Sequence, residues 1–272
     1  MNQPLVSVVI PVWNGEKSLP RCLRSVQAQS WKALEIIVVN DGSTDGTAAL
    51  LDATAALDNR IRVLHQANAG VSAARNNALP LCRGKYIRFV DSDDELPTDS
   101  IEQLVTHAEQ NGSDLVLAAY TNVVGPLRKV CALEKRDETL DCNAFLDNLN
   151  RKANSFYYGV LWNKLFRTAT IQENNVRFES GLSYGEDMVF VCEYLKHVQK
   201  VTYATVPVYD YIRNPKGMTA HQALDSVKHP VRNIGVKIRI YQALKDLYMQ
   251  RNLYVQYKRT LWLYLVRITL DE

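Results

Sequence analysis

The chain has 272 residues, 47 % of them hydrophobic and 22 % charged, with a formal net charge of +3. This is the balance of a globular protein holding one large domain, or one domain with an appendage. No run of about 18 apolar residues is present to cross a membrane, and five scattered cysteines (Cys22, Cys82, Cys131, Cys142, Cys192) without Cys-x-x-Cys spacing read as free thiols in a reducing cytosol rather than as a zinc site.

Residues 5–12 (LVSVVIPV) form an apolar, β-branched run that reads as a central strand. Gly15 and Glu16 then open a helical stretch with Leu19, Leu23 and Val26 on one face. Residues 34–39 are a second buried strand, ending in Asn40-Asp41-Gly42-Ser43, and Thr44 or Asp45 caps a helix through Leu57. A third short strand at 61–64 leads into a polar loop with Gly70 and an alanine-rich helix from Val71 to about Leu81. The fourth strand, 86–90, runs into Asp91-Ser92-Asp93-Asp94-Glu95, and helix 99–110 and strand 114–120 continue the alternation. Strands alternating with helices predict a mostly parallel α/β sheet with helices on both faces. After Tyr120 the rhythm changes. Asp141 caps a helix over 142–150, a strand pair is expected around 201–211, and two helices follow Val231. The expected organisation is 1–120, 121–227, and a helical tail at 228–272. Residues 228–267 hold nine Lys/Arg against one acid, a charge of +8 on a body of −5, with six aromatics among them. That tail suits an anionic membrane surface, or a helix pair packed on protein. No nucleic-acid-binding motif accompanies the charge.

Acids at the end of a buried strand have no packing value. In extended chain Asp91 and Asp93 point to one side, where two charges about 5 Å apart repel by roughly 3 kcal/mol at an effective dielectric of about 20. Either a hard divalent cation sits between them or they form a solvated acidic turn. Three other polar clusters close strands on the same edge, the ligand-binding edge of an open parallel sheet: residues 11–15, 40–45 and 68–72. Asp41 either accepts a hydrogen bond from a base imide or supports the Gly42 turn. Arg75 either aims its fork at a diphosphate or is a surface charge. Neither Gly-x-Gly-x-x-Gly after the first strand nor Gly-x-x-x-x-Gly-Lys-Ser/Thr occurs, which argues against a dinucleotide dehydrogenase and a P-loop enzyme.

Four blocks in order (VIPVWN at 9–14, VVNDGSTDGT at 38–47, NAGVSAARN at 68–76 and FVDSDD at 89–94) make the chain resemble a family 2 inverting glycosyltransferase with the GT-A nucleotide-sugar fold. WNKLFR at 162–167 and GEDM at 185–188 extend the likeness. The resemblance implies that Pro11, Trp13, Asn14 and Asp41 hold the nucleoside. Asn68, Gly70 and Arg75 contact nucleotide or phosphate, Asp91 and Ser92 lie by the ribose or metal, and Asp93 ligates Mn2+ or Mg2+ with Asp91. His221 is a third candidate ligand in a loop that also brings Lys216. Trp13 replaces the commoner tyrosine, and Ala78 stands where glycine is frequent. Asp187 is the expected catalytic base with Glu186 as second choice, although acids there also satisfy a helix dipole. Trp162 and Tyr158 either stack on acceptor sugars or belong to the core. A UDP-sugar donor and a glycan or lipid-linked acceptor are the expected partners, in the cytoplasm or on the inner face of the membrane. A sugar-nucleotide pyrophosphorylase and a non-catalytic nucleotide-sugar-binding scaffold are the alternatives.

Overall fold

A computed structural model describes residues 3–151, 156–182, 184–213 and 230–270. Its first half alternates as expected: β1 (Val6–Val12), α1 (Leu19–Gln27), β2 (Leu34–Asp41), α2 (Thr47–Leu57), β3 (Ile61–Gln66), α3 (Val71–Ala78), β4 (Tyr86–Phe89) and α4 (Ser100–Asn111). The second half comprises β5 (Leu115–Val124), β6 (Leu127–Cys131), β7 (Glu138–Asp141), α5 (Cys142–Arg151), α6 (Phe156–Gly159), β8 (Lys164–Arg167), α7 (Thr168–Glu173), α8 (Glu186–Leu195) and β9 (Lys200–Ile212). The tail forms α9 (Pro230–Gln250) and α10 (Tyr254–Leu270).

One nine-stranded sheet runs in the order β3-β2-β1-β4-β8-β5-β9-β7, with β6 on the distal part of β5. Strands β1 to β4 are parallel, with Val9 opposite Ile37 on one side and Phe89 on the other. Every residue of β1 and β2 is buried, which is why both read as continuous apolar runs rather than alternating ones. Their odd and even positions feed two separate cores. Val9, Ile37, Val39 and Phe89 meet α3, α5 and α8, whereas Val8, Ile10, Ile36 and Val38 meet α1, α2 and α4.

Two departures from the sequence expectation follow from pairing partners far along the chain. Strand β8 inserts antiparallel between β4 and β5, so β5 does not neighbour β4. The expected strand pair near 201–211 is one 13-residue strand, β9, parallel to β5 and antiparallel to β7. Strand β5 also runs beyond Tyr120 and turns back at Gly125 into β6, in a hairpin with exposed Val124, Leu127 and Val130.

The centre of the sheet is tied by two cations that have no acid bonded to them among the described residues. Arg88 of β4 is wholly buried and donates to the carbonyls of Lys164 (2.9 Å) and Val208 (3.1 Å), joining β4 to β8 and β9. Burial pushes its guanidinium down to about 9. Lys164 is equally buried, and its ammonium donates to the carbonyls of Tyr157 and Val160 and to Asn163 Oδ1.

The tail packs on the body through α9. Val236, Ile240, Ala243, Leu244, Leu247 and Tyr248 are buried, and Arg239 forks onto Glu179. Gly185, at φ 77°, lies so close beneath α9 that an added Cβ would sit 2.7 Å from Ile240 Cδ1. Helix α8 therefore starts directly under the tail.

Candidate functional site

The carboxyl ends of β1, β2, β3 and β4 open on one edge, where ligands bind in sheets of this kind. The turns after β1 and β2 are bonded together. Asn14, at φ 52°, donates its N–H to Ser43 Oγ (2.9 Å) and accepts from Thr44 N–H through Oδ1 (2.8 Å). Gly15 N–H donates to Thr47 Oγ1, Glu16 N–H to Asp45 Oδ2, and Gly46 N–H to Glu16 Oε2. Pro11 lies within buried β1, and the Trp13 side chain stands out of the turn, 56 % exposed.

Asp41 closes β2 and is almost fully buried. Its Oδ1 accepts from Gln66 Nε2 and Ala69 N–H (both 2.8 Å), and its Oδ2 accepts from Gly70 N–H (2.9 Å). Three of about four carboxylate acceptor positions are thus used to shape the loop that launches α3. Gly42, at φ 66°, permits this, because a Cβ there would lie 2.6 Å from Asn68 N. Asn68 itself is exposed on the loop.

Arg75, on the second turn of α3, is the centre of the site. It is 4 % exposed, and its Nη1 donates to Asp187 Oδ1 (2.6 Å) and Glu186 Oε1 (3.3 Å) while Nη2 donates to Asp91 Oδ1 (3.3 Å). One guanidinium therefore gathers the acid that follows β4 and both acids that open α8. Asn76 sets the distance by clamping the 178 segment to α3: its amide donates to Phe178 O and accepts from Phe178 N–H, each at 2.8 Å. The Phe178 ring lies 5.3 Å from the Arg75 guanidinium and stacks on Phe190 at 4.0 Å, so the ion cluster rests on an aromatic floor with Phe89. Ala74 and Ala78, on the same helix, are packed in the core. Arg75 is not a surface charge.

The acids after β4 do not continue the strand. They fold into a turn closed by Asp94 N–H donating to Asp91 O (3.2 Å), so Asp91 and Asp93 are set by the turn rather than by strand alternation. Asp91 faces Arg75, Asp93 and Ser92 sit at the mouth, and the Asp93 carbonyl accepts from Arg21. Asp94 is buried and takes a different role. Its Oδ2 accepts from Tyr209 O–H (2.8 Å) and its Oδ1 from Ile212 N–H (2.7 Å), while Tyr209 Oη also receives Asp91 N–H (3.2 Å). Burial, with Asp187 and Asp93 nearby, pushes Asp91 up to about 6 against the pull of Arg75. Burial also raises Asp187, helped by Glu186 and opposed by Arg75 and Lys164.

Asp94, Tyr209 and Asn76 escaped the sequence reading because each bonds to a partner remote in sequence, and Lys164 because it is buried on the carbonyls of its own preceding turn. Asp94 looked like one more member of an acidic run. Trp162 is 3 % exposed, sharing near-parallel stacks with Tyr209 (4.6 Å) and Tyr211 (5.5 Å), and Tyr158 is fully buried, so both belong to the core. His221 and Lys216 lie outside the described residues. Among the described residues, no group of three or more His, Cys, Asp or Glu side chains is arranged to hold a metal ion alone.

Asp94→Ala removes both acceptors and leaves Tyr209 O–H and Ile212 N–H unpaired, at about 1–3 kcal/mol each. Urea unfolding is expected to show a total loss of about 2–6 kcal/mol; a loss below about 0.5 kcal/mol, the usual range of a neutral surface change, would remove Asp94 from its structural role.

Comparison with known proteins agrees with this arrangement. The model of the family described as glycosyl transferase family 2 matches residues 7–153. The uncharacterized glycosyltransferase EpsJ of Bacillus subtilis is 30 % identical over 217 residues, covering 79 % of this chain and 63 % of EpsJ. The chain therefore spans less than two thirds of that relative. S. aureus TarS in complex with UDP-GlcNAc has the same fold at TM-score 0.72 and 19 % identity, over 90 % of this chain and 72 % of TarS. The mannosyltransferase PcManGT from Pyrobaculum calidifontis, in complex with GDP-Man and Mn2+, aligns at TM-score 0.60 and 15 % identity over the whole chain and 77 % of its own. With more than half its length matched by the family model and the expected blocks assembled on one sheet edge, this chain belongs to glycosyl transferase family 2.

Proposed function

We propose that the protein is a metal-dependent inverting glycosyltransferase that moves a sugar from a UDP-sugar to a hydroxyl of a glycan or glycolipid acceptor. One observation carries this reading: Arg75 brings Asp91, beside the nucleotide loops, and Asp187, on the opposite helix, to a single guanidinium. The complexes named above, UDP-GlcNAc in TarS and GDP-Man with Mn2+ in PcManGT, support a nucleotide-sugar donor and a divalent ion.

The donor set fits Mn2+ or Mg2+. Asp93, exposed at the mouth, and Asp91, facing Arg75 and a third exposed, offer hard carboxylate oxygens after β4. Two carboxylates without a full protein cage suit an ion that completes its shell with phosphate oxygens and water, and His221 is the proposed additional ligand. When bound, such an ion supplies charge neutralisation for the leaving diphosphate. The chain's own residues supply the rest. The loops around Pro11, Trp13, Asn14 and Asp41 hold the nucleoside, with Asn68, Gly70 and Ser92 along the nucleotide. Asp187 takes the proton of the acceptor hydroxyl as its oxygen forms the new bond to the anomeric carbon. The bond to the diphosphate breaks on the opposite face, its electron pair leaving with the phosphate, and the centre inverts. Glu186 is the second candidate for the base.

Calorimetry with UDP tests the donor site: binding is expected to strengthen at least tenfold with Mn2+, and equal binding without metal would remove Asp93 and Asp91 as ligands. Asp187→Asn is expected to lower transfer by about 10²–10⁴-fold while UDP still binds. A base works only when deprotonated, and the Asp187 pKa is raised, so wild-type kcat should fall with decreasing pH above the ordinary Asp range of about 4. A fully active Asp187→Asn enzyme removes this role.

The tail is proposed to meet anionic lipid on the inner face of the membrane. No described helix is long and apolar enough to cross a membrane, and α9 is engaged with the body, which leaves α10, with Val255 and Trp262 exposed near Lys258 and Arg259, as the contacting element. Sedimentation with phosphatidylserine vesicles at low salt is expected to carry the protein down and to fail after Lys258→Glu/Arg259→Glu. Unchanged sedimentation of the variant overturns the lipid contact.

A further inference from the structure

Arg75 has one positive charge and faces three carboxylates, so it is over-subscribed before any donor arrives. Of its five N–H groups three are engaged, and Nε is buried without a partner among the described residues. With only 4 % of the residue exposed, an incoming phosphate cannot reach the fork while the contacts to Asp187 and Glu186 stay closed. The side of the cluster nearest solvent is Asp91, a third exposed and at the longer distance of 3.3 Å. Asp187, held at 2.6 Å, has one oxygen occupied by the guanidinium, so in that state this oxygen is not open to an acceptor hydroxyl.

We propose that Arg75 is a positioning residue that changes hands: it holds Asp187 and Glu186 when the donor site is empty, and passes to the donor's diphosphate when the site fills, freeing Asp187 for the acceptor hydroxyl. This deepens the UDP-sugar reading above and rests on it. A phosphate offers the same bidentate match to the fork as a carboxylate, with more charge. The device orders events, because the base becomes available only after the sugar donor is in place. It acts through the guanidinium, so the acids and the diphosphate compete for one group.

That competition is measurable as a coupling of binding energies. UDP affinity with Mn2+ is measured by calorimetry for wild type, Asp187→Asn, Arg75→Ala and the double variant. Asp187→Asn leaves Arg75 less strongly held, and UDP is expected to bind about tenfold more tightly than to wild type. In the Arg75→Ala background the same substitution is expected to change UDP affinity by less than about twofold. A gain that persists without Arg75 would mean simple relief of charge repulsion and overturns the hand-over. UDP binding by wild type with no gain in Asp187→Asn also overturns it, yet leaves the donor reading intact. Failure of wild type to bind UDP sinks the donor reading first. Should the Arg75→Ala proteins not fold, a crystal structure of wild type with UDP decides: the fork on a phosphate and parted from Asp187 upholds the proposal, and an unbroken contact to Asp187 overturns it.

Discussion

The guanidinium of Arg75 is the constraint to which the rest of the site is fitted. Three carboxylates packed within hydrogen-bond reach of one another's partner are tolerable only because a buried cation stands between them. The three carboxylates come from two separate stretches of architecture. Asp91 follows the strand beside β1, and Glu186 and Asp187 open a helix more than ninety residues later. Remove the cation and the first half of the sheet and the helix under the tail repel each other. The aromatic floor of Phe89, Phe178 and Phe190 lowers the local dielectric and strengthens the attraction it supports.

The surroundings of that cluster show how buried charge is made affordable without further acids. Arg88 and Lys164 are held by carbonyl oxygens, although Arg88 Nε has no partner among the described residues, and each such carbonyl lies in a strand or turn that helps to fix β8 or β9. Asp94 is satisfied in the complementary way, by a phenol and a backbone amide at the end of β9. Tyr209 links the two systems, since its hydroxyl bonds the acid turn while its ring stacks on Trp162 and lies 5.7 Å from Arg88. The WNKLFR block is thus a structural brace behind the acids, with Trp162 in the stack, Lys164 in the turn and Phe166 against Phe89.

The parallel half of the fold was legible because its causes are local. Strands buried on both faces must be continuously apolar, which marks β1 and β2 unmistakably, and glycines mark the turns that follow. The four blocks of resemblance lie entirely within this half. The second half was less legible because its pairing is not local. Strand β8 is four residues long and inserts between two strands that both precede it in the chain, and nothing in KLFR announces an antiparallel insertion. The candidate site shares this division. Asp41, Arg75, Asp91 and Asp187 could be named singly, but their grouping could not, because it depends on how α8 folds back over α3 through Asn76 and Phe178. The assumption that Asp91 and Asp93 share a strand face failed for a simple reason: the strand ends at Phe89 and the chain turns between Asp91 and Asp94.

The bonded turns after β1 and β2 have a thermodynamic consequence. With Asn14, Glu16, Ser43, Asp45 and Thr47 already joined across the gap, the wall they form is rigid before anything rests on it. Ordering a loop on association usually costs favourable free energy through lost rotamer and backbone freedom. Here that loss has been incurred during folding. Whatever is laid against this wall meets a surface that need not be assembled around it, its shape being already cast.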